Sequence, residues 1–311
     1  MSPNLLVVVG ATGQQGSSII NTMLADPELS KEYTIRGTTR NPASPAAQTL
    51  AAKGIEIVAA DFNDPASLQR AFTGAHTVFG TTTTSYDGNT YTHEITHGRA
   101  LADAVVAAHV PFYIYSTLPS IAKTSQGALK HGGHFDGKED VEQYIRTLPV
   151  KSAFVAPGSF MSNFHDSMAP HPAGDGTYAL ASFVTPETQL PMIITAGDMG
   201  KWVAAILADF PKYEGKVLCC ATALYSFAEI ADTMTRASGK MVVYRQLPEQ
   251  VWRGFLPALM VDHIADMPKS FQDHGYYGEN TAEKVAWSAE QARGKLTTLE
   301  ECLGANPLRL G

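Results

Sequence analysis

The chain has 311 residues, 44% of them hydrophobic and 17% charged, with a net charge of −7. That is a globular composition, long enough to bury a substantial core and not one of a disordered chain. The acidic balance, with Lys and Arg nowhere clustered, argues against a surface for nucleic-acid phosphates.

From the N-terminus, short apolar runs alternate with helical patterns. LLVVV (5–9), YTIRGTT (33–39), IEIVAA (55–60), HTVFGTT (76–82), FYIYST (112–117) and SAFVAPG (152–158) read as strands. Stretches such as SSIINTML, ASLQRAF and HEITHGRALADAVVAAHV read as the helices between them. Strand and helix alternating at this spacing predict an α/β fold, a parallel sheet covered on both faces.

After about residue 158 the regularity fades. MAPHPAGDGTYALASF reads as a loop with room for short strands, and DMGKWVAAILADF as a helix with Asp198 at its N-cap. YSFAEIADTMTRASG is a further helix, closed by Gly239. Residues 1–158 are therefore expected to form one domain. Residues 159–311 would form a smaller lobe packed on it, with room for some segments to return to the sheet. Cys219, Cys220 and Cys302 are too few and too unevenly spaced for a disulfide framework or a zinc site. The adjacent pair ends the apolar run KVLCC and reads as buried strand. No secretory signal and no apolar run of about 18 residues is present, so a cytoplasmic protein is expected, with the nucleus as an additional location.

GATGQQG follows the first strand directly and opens a helix. Gly10 would allow a tight turn, Gly13 the close approach of backbone to a pyrophosphate, and Gly16 tight helix–sheet packing. The intervening Thr12, Gln14 and Gln15 belong to the same loop. The second strand ends in Thr38, Thr39 and Arg40, with no acid to accept from ribose hydroxyls. A guanidinium there would pair with a 2′-phosphate, which points to NADP(H) over NAD. The third strand ends in AADFND, placing Asp61 and Phe62 at the edge where adenine would lie. Asp64 fits better as the N-cap of the next helix. Thr81 and Thr82 close the fourth strand at the same edge.

VVVGATGQQGSSI, GTTRNP, ADFNDPASL, FYIYSTLPSI, HFDGKEDVEQYI, FVAPGSFMSNF and DMGKWVAAIL occur here in the order that the NmrA-like family shows, and the chain resembles that family of atypical short-chain dehydrogenase/reductase proteins. The resemblance implies a Rossmann doubly wound parallel sheet binding NADP(H), with a smaller C-terminal α+β lobe. It also implies that Pro157, Gly158, Phe160 and Asn163 line the nicotinamide pocket. Ser116 or Thr117 resembles the superfamily's serine. In related regulators a basic residue often stands in the E-x-x-x-G-x segment, where this chain has Thr96.

His134 and Lys138 project onto the apolar stripe made by Val141, Ile145 and Leu148. Catalytic members of the wider superfamily use Tyr-x-x-x-Lys, and the resemblance places His134 at the tyrosine and Lys138 at the lysine. In one reading Lys138 anchors the ribose and His134 only lines the pocket. In the other His134 is a general acid, although the Lys138 cation would favour its neutral form. The leading expectation is an NADP(H)-binding, redox-responsive regulator with a protein partner. The alternative is an NADPH-dependent reductase of a small carbonyl, quinone or conjugated substrate. Neither a nucleic-acid nor a membrane partner is expected. His131 and His134 have no third ligand at sensible spacing, so no metal is expected.

Overall fold

Leu6, Val7 and Val8 have no exposed surface, the burial that a run of consecutive apolar residues predicts for a strand covered on both faces. The computed structural model describes residues 3–310. Its first half runs β1 (Asn4–Val8), α1 (Gln14–Ala25), α2 (Leu29–Glu32), β2 (Tyr33–Thr39), α3 (Pro45–Ala51), β3 (Glu56–Ala59), α4 (Pro65–Phe72) and β4 (Thr77–Gly80). It continues with α5 (Thr90–Ala107), β5 (Phe112–Ser116), α6 (Ile121–Thr124), α7 (His134–Arg146) and β6 (Lys151–Pro157).

The second half opens with β7 (Ser159–Phe160), β8 (His171–Pro172), β9 (Tyr178–Ser182), β10 (Gln189–Ile193), α8 (Thr195–Ala208), α9 (Phe210–Tyr213) and β11 (Val217–Cys220). It closes with β12 (Ala223–Ser226), α10 (Phe227–Ser238), β13 (Val242–Gln246), α11 (Glu249–Arg253), α12 (Val261–His274), α13 (Thr281–Gln291) and α14 (Leu299–Ala305).

Seven parallel strands form the central sheet in the order β11-β6-β5-β4-β1-β2-β3. The architecture is Rossmann-like. The strand order reverses at β1, between β4 and β2, and the carboxyl ends flanking that point form the crevice where open α/β sheets bind ligands. Strand alternation divides the core: Leu6 and Val8 face α1 and α8, while Val7 and Val9 face the side covered by α4, α5 and α7.

Two segments from beyond residue 158 lie on this sheet. β11 pairs with β6, burying Cys219 and Cys220 as free thiols in a strand, as the apolar run predicts. α8 lies along α1, where the Gly200 amide donates to Ser18 Oγ at 3.0 Å. A Cβ on Gly200 would meet the Ser18 carbonyl oxygen, so glycine permits this close approach. Two three-stranded sheets, β12-β10-β7 and β13-β9-β8, pack with α10, α13 and α14 around a further apolar core that also takes in Phe135 of α7, Ala156 of β6 and Cys219 of β11.

Asp64 caps α4 by accepting from the Ser67 amide at 3.2 Å, and Gly239 ends α10 with φ +68°. Asp198 is not an N-cap. The helix begins three residues earlier, at Thr195, and the fully buried Asp198 carboxylate accepts from the Thr297 amide at 2.7 Å and from Lys201 at 2.6 Å. A distant chain segment supplies the donors that a helix end would otherwise offer. Among the described residues no helix is long and apolar enough to cross a membrane.

Candidate functional site

The glycine loop makes a cradle at the carboxyl end of β1. Gly10 has φ +67°, and Gly13 occupies the N-cap of α1 in extended conformation. A Cβ on Gly16 would overlap the Gly10 carbonyl oxygen, so only glycine lets the helix start this close to the strand. A Cβ on Gly37 of β2 would lie 2.7 Å from the Ala11 side chain, a second requirement that the sequence pattern did not single out. Thr12, Gly13 and Gln14 are exposed, and Gln15 is half-buried with its Oε1 enclosed and without a partner. No side chain caps α1, and no acid stands in its first turn. Its N-terminal amides and the positive end of its dipole thus face the crevice without competition from a carboxylate.

The other residues predicted to touch the cofactor stand at the ends of neighbouring strands. Arg40 follows β2, is exposed, and has no hydrogen bond or ion pair among the described residues. Arg36 in the same strand is consumed by Glu56 at 2.8 Å and by the Ala71 and Thr73 carbonyls. Asp61 is partly committed to a local turn, accepting from the Asn63 amide at 2.8 Å. Phe62 lies 5.1 Å from the His97 ring, whose Nδ1 is buried without a partner. Thr81 packs against Gly10, and Ser116 is buried at the end of β5.

Pro157 and Gly158 are buried where β6 leaves the sheet, pinned by the Gly158 amide donating to the Cys220 carbonyl at 3.0 Å. Phe160 and Asn163 are half-buried beyond them. Ser162 Oγ donates to Gln14 Oε1 at 3.3 Å, which brings this turn against the glycine loop.

Lys138 has a partner that sequence reasoning missed. Its ammonium lies 2.9 Å from Glu94 Oε2, and the Glu94 side chain has no exposed surface. Thr82 Oγ1 sits between them, accepting from Lys138 and donating to Glu94. Thr84 Oγ1 donates to the other carboxylate oxygen at 2.8 Å. The pair is possible because α5 and α7 pack closely. A Cβ on Gly137 would stand 2.7 Å from Glu94 Cβ, and one on Gly98 would stand 2.5 Å from a Val141 methyl. The glycine one turn after Glu94 was the available signal. Thr96 is exposed on the same helix.

His134, at the first position of α7, also has an unforeseen partner. Its Nδ1 lies 3.0 Å from Nε2 of His263, which α12 brings from the C-terminal lobe. The Tyr86 ring stands edge-on to both imidazoles, at 5.9 and 5.5 Å. Gly133 has φ +49°, and a Cβ there would collide with the His263 ring. A Cβ on Gly132 would collide with the Asp136 carboxylate, which accepts from Ser120 Oγ at 2.8 Å. The two glycines of HGGH therefore make room for side chains. Burial first, then His263 and Lys138, hold the His134 imidazole well below its usual pKa, so it is neutral at pH 7. His263 is lowered mainly by burial, with Asp136 and Asp266 opposing. Among the described residues no three His, Cys, Asp or Glu side chains converge on a metal position.

The NmrA-like family model matches residues 2–303. The chain belongs to the NmrA-like family. NmrA-like family domain-containing oxidoreductases of Aspergillus campestris and Penicillium ochrochloron are 29% and 27% identical to it over 279 and 267 residues. Those matches cover 83% and 81% of this chain and 80% and 78% of the relatives. Among solved structures, NmrA, a negative transcriptional regulator, in complex with NADP superimposes with a TM-score of 0.81 at 24% identity over 99% of both chains. An NADPH-dependent quinone oxidoreductase of Escherichia coli complexed with NADPH gives a TM-score of 0.76 at 24% identity, over 96% of this chain and 99% of that one. These NmrA-like and reductase structures share the fold described above.

Proposed function

We propose that this NmrA-like protein binds NADP(H) and uses it to reduce a small carbonyl, quinone or conjugated substrate. The observation that carries the binding reading is the pairing of an acid-free glycine cradle with an exposed Arg40, unengaged among the described residues, at the end of the next strand. The loop from Gly10 to Gly16 would hold the pyrophosphate, Arg40 the 2′-phosphate, and Phe62 with Asp61 the adenine. Thr81, Thr82, Ser116 and the Pro157–Asn163 turn would border the nicotinamide half. Bound NADPH supplies a hydride.

His134 is the candidate proton donor. It is held in a defined place by His263, and its Nε2 has no hydrogen-bond partner among the described residues. The curated relatives carry the name oxidoreductase, which supports this reading.

A second reading, a redox-responsive regulator that reports cofactor state to a protein partner, is favoured by the commitment of Lys138 to Glu94. A lysine already neutralised is less available to a ribose. The solved NmrA, a negative transcriptional regulator, supports this reading by analogy of fold.

NADPH consumption at 340 nm with a panel of quinones, aldehydes and enones separates the two. Turnover lost in His134→Ala makes the protein a reductase. Tight NADPH binding without turnover leaves the regulator. In the same preparation Arg40→Ala should weaken NADPH binding by about tenfold or more, the scale of a charge-assisted phosphate contact, and leave NADH binding nearly unchanged. Equal losses would contradict the assignment of Arg40.

A further inference from the structure

We propose that His134 and His263 form a two-imidazole proton relay, His263 from the C-terminal lobe feeding a proton through His134 to the acceptor oxygen of a carbonyl or quinone substrate. The proposal rests on the reductase reading above and assigns a role to a residue outside the nucleotide-binding half.

The contact between the rings is built by the surrounding chain. Gly133 adopts positive φ and carries no Cβ, and both features are needed for the His263 ring to reach the first turn of α7. Asp266, one turn after His263 on α12, accepts from the Lys130 and His131 amides at 3.1 and 2.9 Å. The same helix thus delivers His263 and grips the backbone leading to His134. Phe135 packs against Phe271 of α12 at 5.8 Å, a third tie between the two segments.

Two imidazole nitrogens 3.0 Å apart hydrogen-bond only when one carries a proton and the other does not. With His263 Nε2 donating to His134 Nδ1, a neutral His134 must carry its proton on Nε2, the nitrogen without a partner among the described residues. A neutral imidazole is a weak acid by itself, because giving up that proton would leave an anion. Relief comes if a proton arrives at Nδ1 as one leaves Nε2. His263 is placed to supply it. Both rings are half-buried; His263 has the carboxylates of Asp136 and Asp266 and the imidazole of His131 around it, whereas His134 faces Lys138, His263 and the Tyr86 ring.

The balance is one proton. His134 Nε2 gives a proton to the substrate oxygen as the adjacent carbon accepts the hydride. His263 Nε2 passes its proton to His134 Nδ1 as His263 Nδ1 takes up a proton from bulk solvent, the one proton that the overall reduction consumes. The carbonyl ends as an alcohol; a quinone, which takes one hydride and one proton in all, ends as a hydroquinone once the hydrogen delivered to carbon has shifted to oxygen. Both imidazoles end neutral with their protons on Nδ1, and the starting tautomers return when solvent protonates His134 Nε2 and His263 Nδ1 releases its proton.

The test compares wild type with His263→Gln and His263→Ala, with NADPH affinity as the check of a folded site. Glutamine can donate to His134 Nδ1 from its amide but cannot pass a proton on. In ¹⁵N spectra of the imidazoles, His134 should show the Nε2–H tautomer in wild type and in His263→Gln, and a mixture of tautomers in His263→Ala. kcat should fall about 100-fold in both variants, the usual worth of acid–base catalysis, with KM and NADPH affinity held. Turnover unaffected by His263→Gln overturns the relay alone, as does an Nδ1–H tautomer of His134 in wild type. Wild-type protein that binds NADPH but reduces no acceptor overturns the reductase reading and the relay with it.

Discussion

Glu94 carries a charge with no exposed surface, and it is tolerated only because Lys138 and two threonine hydroxyls face it. The pair costs desolvation on both sides, so its removal as a unit should matter far less than breaking it. Lys138→Met, which strands the carboxylate, should destabilise the fold by about 3–5 kcal/mol. The double variant Glu94→Leu/Lys138→Met should recover most of that loss, as urea denaturation would show. A double variant as unstable as the two single losses added together would mean that the pair is not coupled. Lys138 was legible in the sequence because a lysine on an apolar stripe demands an explanation. Glu94 was not, because its partner stands on another helix and no periodicity links the two. His134 and His263 repeat this pattern across 129 positions.

Elements were read most securely where a local signal sets their boundary. Asp64 followed by Pro65 announces a helix start, and the structure uses that carboxylate on the Ser67 amide. Asp64→Ala should therefore cost about 1 kcal/mol in chemical denaturation, as for other N-caps, and leave NADPH affinity unchanged. A larger loss of cofactor binding than of stability would move Asp64 into the site. Asp198 offered the same local signal and misled, because the helix began one turn earlier and a segment almost 100 residues away claimed its oxygens. The glycine loop was legible as a tight strand-to-helix turn, with Gly10 at φ +67° and Gly13 at the N-cap of α1. Gly16→Ala should abolish NADPH binding in a titration while thermal unfolding stays cooperative, since the added methyl meets the backbone of Gly10 at the cradle itself.

Over the whole molecule, four half-buried histidines share one direction. Burial lowers the pKa of His76, His97, His134 and His263 below the ordinary 6.5. The unfolded chain then binds protons more readily than the folded one as pH falls below about 6.5. Their contribution to stability is full above that pH and is lost as pH falls toward the folded values. Tm should drop between pH 7.5 and pH 5.5, above the range in which carboxylates titrate, and His134→Gln should flatten the slope. A Tm independent of pH across that window would show that these imidazoles do not stay neutral on folding.

The sequence by itself determined the parallel sheet, the tight turn from β1 into α1 and the place of Arg40 after β2. Those features rest on short-range chemistry: side-chain alternation along a strand, positive φ at a turn and a helix terminus directly after it. Only the tertiary structure decided that Glu94 neutralises Lys138, that His263 completes His134, and that α8 and β11 return to the sheet from beyond residue 158. Those contacts join residues with no regular spacing between them. Burial selects the partners, because a charge or imidazole enclosed by protein must be answered by whatever group the fold brings within hydrogen-bond reach.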